Sequence, residues 1–460
     1  MVTPFDPARE IAADLDTPVS ALLKLRPLEP VFLLESVTGG EQVGRYSFIG
    51  LGKRNELALS ASALTVDGVE RETGGDPLGA LRAWLTAAGL PSGGTRRGPA
   101  GLVGWVGYEA AGWFERLPAA GPSPFGLPTA AFVVPRAVLA FDHVRSTLTL
   151  DPLVGGDEAR ALEREVTRAL RSGPSAPPAP GASGEARPNR SRADYEAGVE
   201  RAREHIRAGD AYQIVLSVRF DGETEADPLA VYRALRLLNP SPYLYWVRAG
   251  GADVVGSSPE ALARLEGRRA LLRPIAGTRP RGGSEEDDGA LVEELLADPK
   301  ENAEHVMLVD LARNDLGRVA APGTVEVTGL RAIERYSHVM HLVSTVEGDL
   351  PADVDQFDLF RAAFPAGTVT GAPKIRAMEI VAEIEGEPRG PYAGSVGYFG
   401  AGGSMDQAIA IRTLVFHDGA YAYQAGAGIV AESDPAREHA EVLNKARVLE
   451  RALELASEEL

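Results

Sequence analysis

The sequence predicts an α+β fold of mixed layers rather than a doubly wound parallel sheet, and two observations carry this. Short apolar runs bounded by turn residues, such as VFLLE (31–35), YSFIG (46–50) and LVGWVGY (102–108), have the length of strands. Helix-type stretches fall among them without the regular strand–helix alternation of a parallel sheet. At 460 residues the chain is long for one core, so about two or three domains are expected. No internal repeat is visible.

Taken in order, residues 31–35, 46–50, 102–108 and 131–140 read as strands, and the Glu/Arg/Leu-rich residues 157–171 as a helix. Residues 1–171 thus form an N-terminal region. The run SGPSAPPAPGASGEARPNRSR (172–192) has no periodic apolar face and reads as a flexible linker. Residues 193–460 form the second region. It opens with a helix (193–208), a strand (211–220) and a helix ending near Asn239, followed by strands at 244–249, 252–257 and 270–275. Further helices start near Asp298, Pro373 and Asp434, each carrying a Pro next to a capping residue.

Composition limits the function. Hydrophobic residues make up 44% and charged residues 24%, as in a soluble globular protein, and no apolar run reaches membrane-spanning length. The N-terminus lacks a basic-then-apolar signal pattern, so a cytoplasmic location is expected. A formal net charge of −18 argues against nucleic acid or an anionic membrane as partner. An anionic substrate would need a locally positive site. With no cysteine, the chain has no disulfide, thiolate metal site or thiol nucleophile. A Cys–His amidotransferase therefore cannot reside in it, and any amide nitrogen must arrive as ammonia or from another subunit.

The run FPAGTVTGAPKIRAMEI (364–380) is a Gly-punctuated loop feeding a helix. Pro373 suits the first helical position, with Thr370 or Gly371 as cap, and Ile375, Met378, Val381 and Ile384 mark a buried face. Such a helix start favours an anion, with the Thr368 and Thr370 hydroxyls as further donors. An ordinary well-capped helix fits the same spacing. On the helix after Asp298, Glu301 and Glu304 stand three apart and share a face; Glu438 and Glu441 repeat the arrangement after Asp434. Two such pairs could hold a hard cation through oxygen alone, although acidic residues in a first helical turn are also favoured by the dipole. A di-iron site is disfavoured, because His305 and His439 directly follow a Glu instead of completing Glu-x-x-His.

These runs, together with ENAEHVMLVDLARNDLGRV (from Glu301) and GAGIVAESDPAREHAEVLNKA (from Gly426), resemble the signatures of the chorismate-utilising enzymes, and among them the large subunits of anthranilate synthases. The resemblance implies largely antiparallel sheets packed face to face with helices outside. It implies Mg²⁺ on Glu304 and Glu441, with Glu301 and Glu438 as water-mediated neighbours and Lys445 neutralising the cluster. Gly277 and Thr278 of PIAGTRPRG would contact the ring carboxylate, while Tyr392 and Arg412 grip the enolpyruvyl carboxylate and Gly426 and Gly428 add N–H donors. Glu260 of SSPE resembles the acid facing the ring C4 hydroxyl; His341 of HLVS matches the histidine of the elimination step, and His338 reads as structural. Thr368 and Gln213 complete the candidate catalytic set.

Two positions discriminate within the family. Gln213 stands where water-using relatives carry a Lys base, which ammonia does not need, and Ala276 stands where aminodeoxychorismate synthases commonly carry Lys. The expected reaction is chorismate plus ammonia, supplied by a glutamine amidotransferase subunit in a hetero-oligomer, giving anthranilate and pyruvate. The alternatives are an aminodeoxychorismate or 2-amino-2-deoxyisochorismate synthase subunit, and a catalytically dead tryptophan sensor. LLES (33–36), GRYSFIG (44–50) and NPSPY (239–243) resemble the pocket through which tryptophan inhibits, placing Glu35, Ser36, Tyr46, Pro240, Ser241, Pro242 and Tyr243 around it.

Overall fold

The computed structural model describes residues 9–36, 44–91, 98–119, 121, 123–173, 175–335 and 339–458. Every named strand pairing is antiparallel, and the pairings form a continuous path. Strand Gln213–Glu223 pairs with Ala420–Ile429, which continues through Thr413–His417 and Ala252–Ser258 to Tyr243–Ala249. The path then enters the N-terminal region through Pro30–Glu35, Tyr46–Leu59, Ala130–Asp142 and Gly101–Val106. It returns through Ser395–Gly400, Met405–Ile409, Ala261–Glu266, Arg269–Leu272 and Val339–Asp349.

The path doubles over into two layers. Side-chain alternation shows how: Phe32, Tyr245 and Val254 join Trp105, Phe132 and Phe399 in one core, while their neighbours Leu33, Trp246 and Val255 face a second core. The first core lies between the layers, and the second lies beneath helices, with Tyr232 and Leu449 among its members. These strands are apolar on both faces, as burial on both sides demands. The long strand Tyr46–Leu59 serves both cores, with Ile49 and Leu51 in one and Leu57 and Leu59 in the other. A register shift between Lys53 and Asn55 supplies the bend. The expected antiparallel sheets with external helices are what the chain forms.

Several local expectations change. The strand at 102–108 ends at Val106, and Tyr108 instead opens a short 3₁₀ turn. The strand at 270–275 divides into Arg269–Leu272 and Ile275–Pro280, separated by a segment containing Pro274, whose missing N–H cannot continue the ladder. Part of the linker at 172–192 is tied down: Arg187–Pro188 pairs with strand Gln213–Glu223, and Gly184 donates to Glu223 and accepts from the Tyr421 hydroxyl. Pro373 is the cap residue of helix Lys374–Glu385, not its first helical residue. Thr370 does not cap, because its hydroxyl donates to the Ala366 carbonyl at 3.0 Å, and Gly371 pairs with Ile214. Met378, Val381 and Ile384 are buried as expected, but Ile375 is 42% exposed.

Candidate active site

The site forms where strand Ala420–Ile429 meets the start of strand Gln213–Glu223, flanked by helices Pro299–Gly317 and Pro435–Ala456. Gln213 is buried and donates through Nε2 to Glu304 Oε1 at 3.1 Å. A Cβ on Gly428 would stand 2.6 Å from that Nε2, so glycine is what lets the amide lie across the strand. A Cβ on Gly426 would stand 2.8 Å from the Tyr392 hydroxyl. Lys445 ties the other flank together, with Nζ 2.9 Å from the Gly426 carbonyl and 2.8 Å from Glu441 Oε1. The two glycines thus lie between Glu304 on one helix and Glu441 on the other.

Gly277 adopts φ +60°, and a Cβ there would meet Leu295 at 2.8 Å and Glu301 Oε2 at 3.2 Å. Glu301 also lies 3.4 Å from Arg279. Thr278 is opposite His341 in the sheet; its side chain lies outside the described residues, as does all of His338. His341 is buried, bonds the Gly277 backbone and is held neutral, chiefly by burial and then by the Arg412 charge.

Glu260 is the unusual carboxyl. Burial pushes its pKa to about 8, while the neighbouring Thr368 hydroxyl and the Arg412 guanidinium pull in the opposite direction. It is therefore largely protonated at neutral pH. Its backbone carbonyl accepts from Ile409 N at 3.0 Å, and Arg412, at φ +50°, receives the Ser257 N–H at its own carbonyl. Arg412 is thereby placed to act on both Glu260 and His341.

Beneath Tyr392 lies an ion pair that spacing alone did not mark as functional. Arg389 and Glu385 pair at 2.7 Å with both side chains almost wholly buried. Arg389 also donates to the carbonyls of Val369 (2.8 Å) and Val215 (2.7 Å), and stacks on Tyr108 and Tyr392 with its guanidinium carbon 4.7 and 5.8 Å from the ring centres. Glu385 accepts from Ser217 N and Oγ, and Glu109 accepts from Arg389 N and Gly390 N. These bonds hold the turn that carries Tyr392, between helix Lys374–Glu385 and strand Ser395–Gly400. Burial raises the Tyr392 hydroxyl to about 12, leaving it a neutral donor. An Glu–Arg pair four apart usually signals a surface pair; the adjacent RGPY turn was the one available hint.

The four helix glutamates supply oxygen only, which suits a hard cation, and Gly277 and Gly428 leave open the space beside Glu301 and Gln213 that a Cβ would fill. Among the described residues no three acidic or histidine side chains already form a closed metal cage. Glu301, Glu304 and Glu441 instead engage Arg279, Gln213 and Lys445.

A second cavity, of about 710 Å³, lies across the sheet. Glu35, Ser36, Tyr46, Pro242 and Tyr243 line it, as does Asp406, which the sequence did not single out. Pro240 and Ser241 are not among its lining residues; Ser241 is buried behind it, bonded to Ser257 Oγ at 2.9 Å. The Tyr232 hydroxyl and Arg236 hold Glu35, whereas the buried Ser36 hydroxyl has no partner among the described residues.

The chain belongs to the family of chorismate binding enzymes, whose family model matches residues 29–451. Within it the chain is similar to anthranilate synthase component 1 of Thermus thermophilus (48% identical, covering 96% of each chain) and of Streptomyces coelicolor (48% identical, covering 96% of this chain and 87% of that one). It superimposes on the crystal structure of anthranilate synthase component I from Streptococcus pneumoniae with a TM-score of 0.80, at 34% identity over 96% of this chain and all of that one. The menaquinone-specific isochorismate synthase of Escherichia coli, 21% identical, shares the fold with a TM-score of 0.74.

Proposed function

We propose that this chain is the chorismate-converting large subunit of an anthranilate synthase, joining chorismate and ammonia to give anthranilate, pyruvate and water. The observation that carries the reading is Glu260, a buried carboxyl that keeps its proton at neutral pH beside Arg412 and Thr368. Such a group donates a proton to the departing C4 hydroxyl. Arg412 and the Tyr392 hydroxyl take the enolpyruvyl carboxylate, and Gly277 and Thr278 the ring carboxylate. Gln213, an amide and not an amine base, suits a nucleophile that needs no deprotonation. Neutral His341 is the candidate acceptor for the C2 proton as pyruvate leaves. Glu304 and Glu441, with Glu301 and Glu438 behind them, would hold Mg²⁺, whose bound charge would draw electron density toward the ring carboxylate.

With no cysteine for glutamine hydrolysis, the ammonia comes from a separate amidotransferase subunit, and the complex is a hetero-oligomer. The 710 Å³ cavity takes tryptophan as feedback inhibitor. Among the described residues no helix is long and apolar enough to cross a membrane.

The test uses the purified chain with chorismate, Mg²⁺ and an ammonium salt at mildly alkaline pH, following anthranilate fluorescence beside a glutamine-only control. Product with ammonia but none with glutamine is expected. Chorismate consumed without fluorescence would point to a synthase that stops at an amino-deoxy intermediate, and untouched chorismate to a tryptophan sensor.

A further inference from the structure

A proton donor used once per turnover must be reloaded, and Glu260 is buried. On one side it borders a small pocket of about 40 Å³, enough for roughly one or two water molecules. Much of the wall is apolar, with Leu308, Leu311 and Ala312 among its residues, but four polar side chains border it: Glu260, Thr368, Arg273 and Asp315. Asp315 is itself buried, and its Oδ2 accepts from Lys374 Nζ at 2.7 Å. Lys374 also donates to the Ala363 carbonyl at 3.1 Å, and its surroundings include Arg318, whose side chain is 50% exposed, and Glu115. The groups therefore run from the exposed Arg318 and the partly buried Glu115 to the Lys374–Asp315 pair, and from there to the pocket that Asp315 and Glu260 share.

We propose that Asp315, paired with Lys374, is the relay residue that returns a proton to Glu260 through water in this pocket. The inference rests on Glu260 being the donor to the departing hydroxyl. In the reloading step the Lys374 ammonium passes a proton to the paired Asp315 carboxylate, the new Asp315 O–H bond breaks toward a pocket water, and that water passes a proton to the Glu260 carboxylate. Neutral Lys374 then regains a proton from a buffer acid or solvent, so one proton enters for each one spent and nothing is oxidised or reduced. The charged groups facing this route are Lys374 and Arg318 at Asp315, Arg412 at Glu260, Glu115 and Arg318 at Lys374, and Arg273, itself paired with Glu334, at the pocket wall. Burial holds the Asp315 carboxyl above its ordinary range, which favours a protonated state in transit.

The experiment compares the full-length wild-type chain, Asp315→Asn and Ala312→Val, a variant that narrows the pocket without touching the ion pair. Ammonia-dependent anthranilate formation is followed across pH in H₂O and D₂O, with thermal melts in parallel. Both variants are expected to lower kcat on the order of tenfold, steepest on the alkaline side, and to raise the solvent isotope effect with the chorismate KM unchanged. A variant pair that keeps the wild-type pH profile and isotope effect overturns the relay and leaves Asp315 as an anchor for its helix. A folded wild-type chain that makes no anthranilate overturns the underlying reading instead, and the relay with it.

Discussion

The candidate active site and the 710 Å³ cavity are built from the same sheet but treat their buried polar groups differently. In the former nearly every charge is already answered: Arg389 by Glu385, Glu304 by Gln213, Glu441 by Lys445. Glu260 and Arg412 differ, since neither has an ion pair among the described residues and burial pushes the Glu260 carboxyl up to about 8 beside the Arg412 guanidinium. In the cavity Glu35 is held by Tyr232 and Arg236, but the Ser36 hydroxyl has no partner among the described residues and burial raises the Asp406 carboxyl above its ordinary range. A site for chemistry is preorganised so that no reorganisation is needed during the reaction. The unmet hydroxyl in the cavity is a group that the proposed inhibitor would satisfy on binding. The two are physically linked: strands Ser395–Gly400 and Met405–Ile409 line the cavity through Tyr398 and Asp406, and Ile409 bonds the Glu260 backbone.

Breaking this contrast at its strongest point means removing the lone neutral acid. Glu260→Gln should lower kcat by about 10²- to 10⁴-fold while the protein stays folded. Its stability should change with pH in a defined direction. The wild-type carboxyl, at about 8 in the folded chain against an ordinary 4.5, binds its proton more tightly folded than unfolded. Wild-type stability from this group is therefore undiminished below pH 4.5 and falls as pH rises toward 8. Thermal melts should show Glu260→Gln gaining on wild type over that interval and matching it at the acid end. Equal differences at both ends would contradict the protonation state assigned to Glu260.

Removing half of a matched pair should act on the fold. Glu385→Ala strands the buried Arg389 charge and should cost about 3–5 kcal/mol in denaturant titration. Gly428→Ala sharpens the comparison more gently. Its methyl would push Gln213 off Glu304, and a rise in the chorismate KM on the order of tenfold, with little change in melting temperature, is the expected result. The smallest effect belongs to the cavity. Ser36→Ala removes one unpaired hydroxyl and should weaken tryptophan inhibition by about 1 kcal/mol, roughly fivefold in half-inhibitory concentration, with kcat unchanged.

What the sequence made legible follows from what local chemistry can write. Short apolar runs located central strands such as Tyr243–Ala249 and Ala252–Ser258 but missed others, Thr147–Pro152, Glu326–Arg335 and Ala420–Ile429 among them, while the Asp–Pro starts located helices whose caps are in place, with Asp298 Oδ1 accepting from Glu301 N and Asp434 Oδ1 from Arg437 N. Gly277, Gly426 and Gly428 were legible through their motifs, and the structure adds the reason: a side chain on each would strike a neighbour. Whatever depends on distant segments meeting stayed hidden. Nothing near Glu260 in sequence announces that burial will keep it protonated, and nothing near Arg389 announces a buried pair. Pro240 and Ser241 belong to the motif that reaches the cavity, yet a turn that displays Pro242 and Tyr243 has to turn its earlier residues away.

The insertion of N-terminal strands into the path has a consequence for any attempt to halve the protein. Pro30–Glu35 covers one edge of Tyr243–Ala249, and Gly101–Val106 covers one edge of Ser395–Gly400. A fragment holding only the catalytic motifs would expose two long rows of unpaired amides and carbonyls, each flanked by apolar side chains made for a core. Such edges recruit other chains. The N-terminal strands therefore protect these edges, and the second region expressed by itself is expected to self-associate, which size-exclusion chromatography would show.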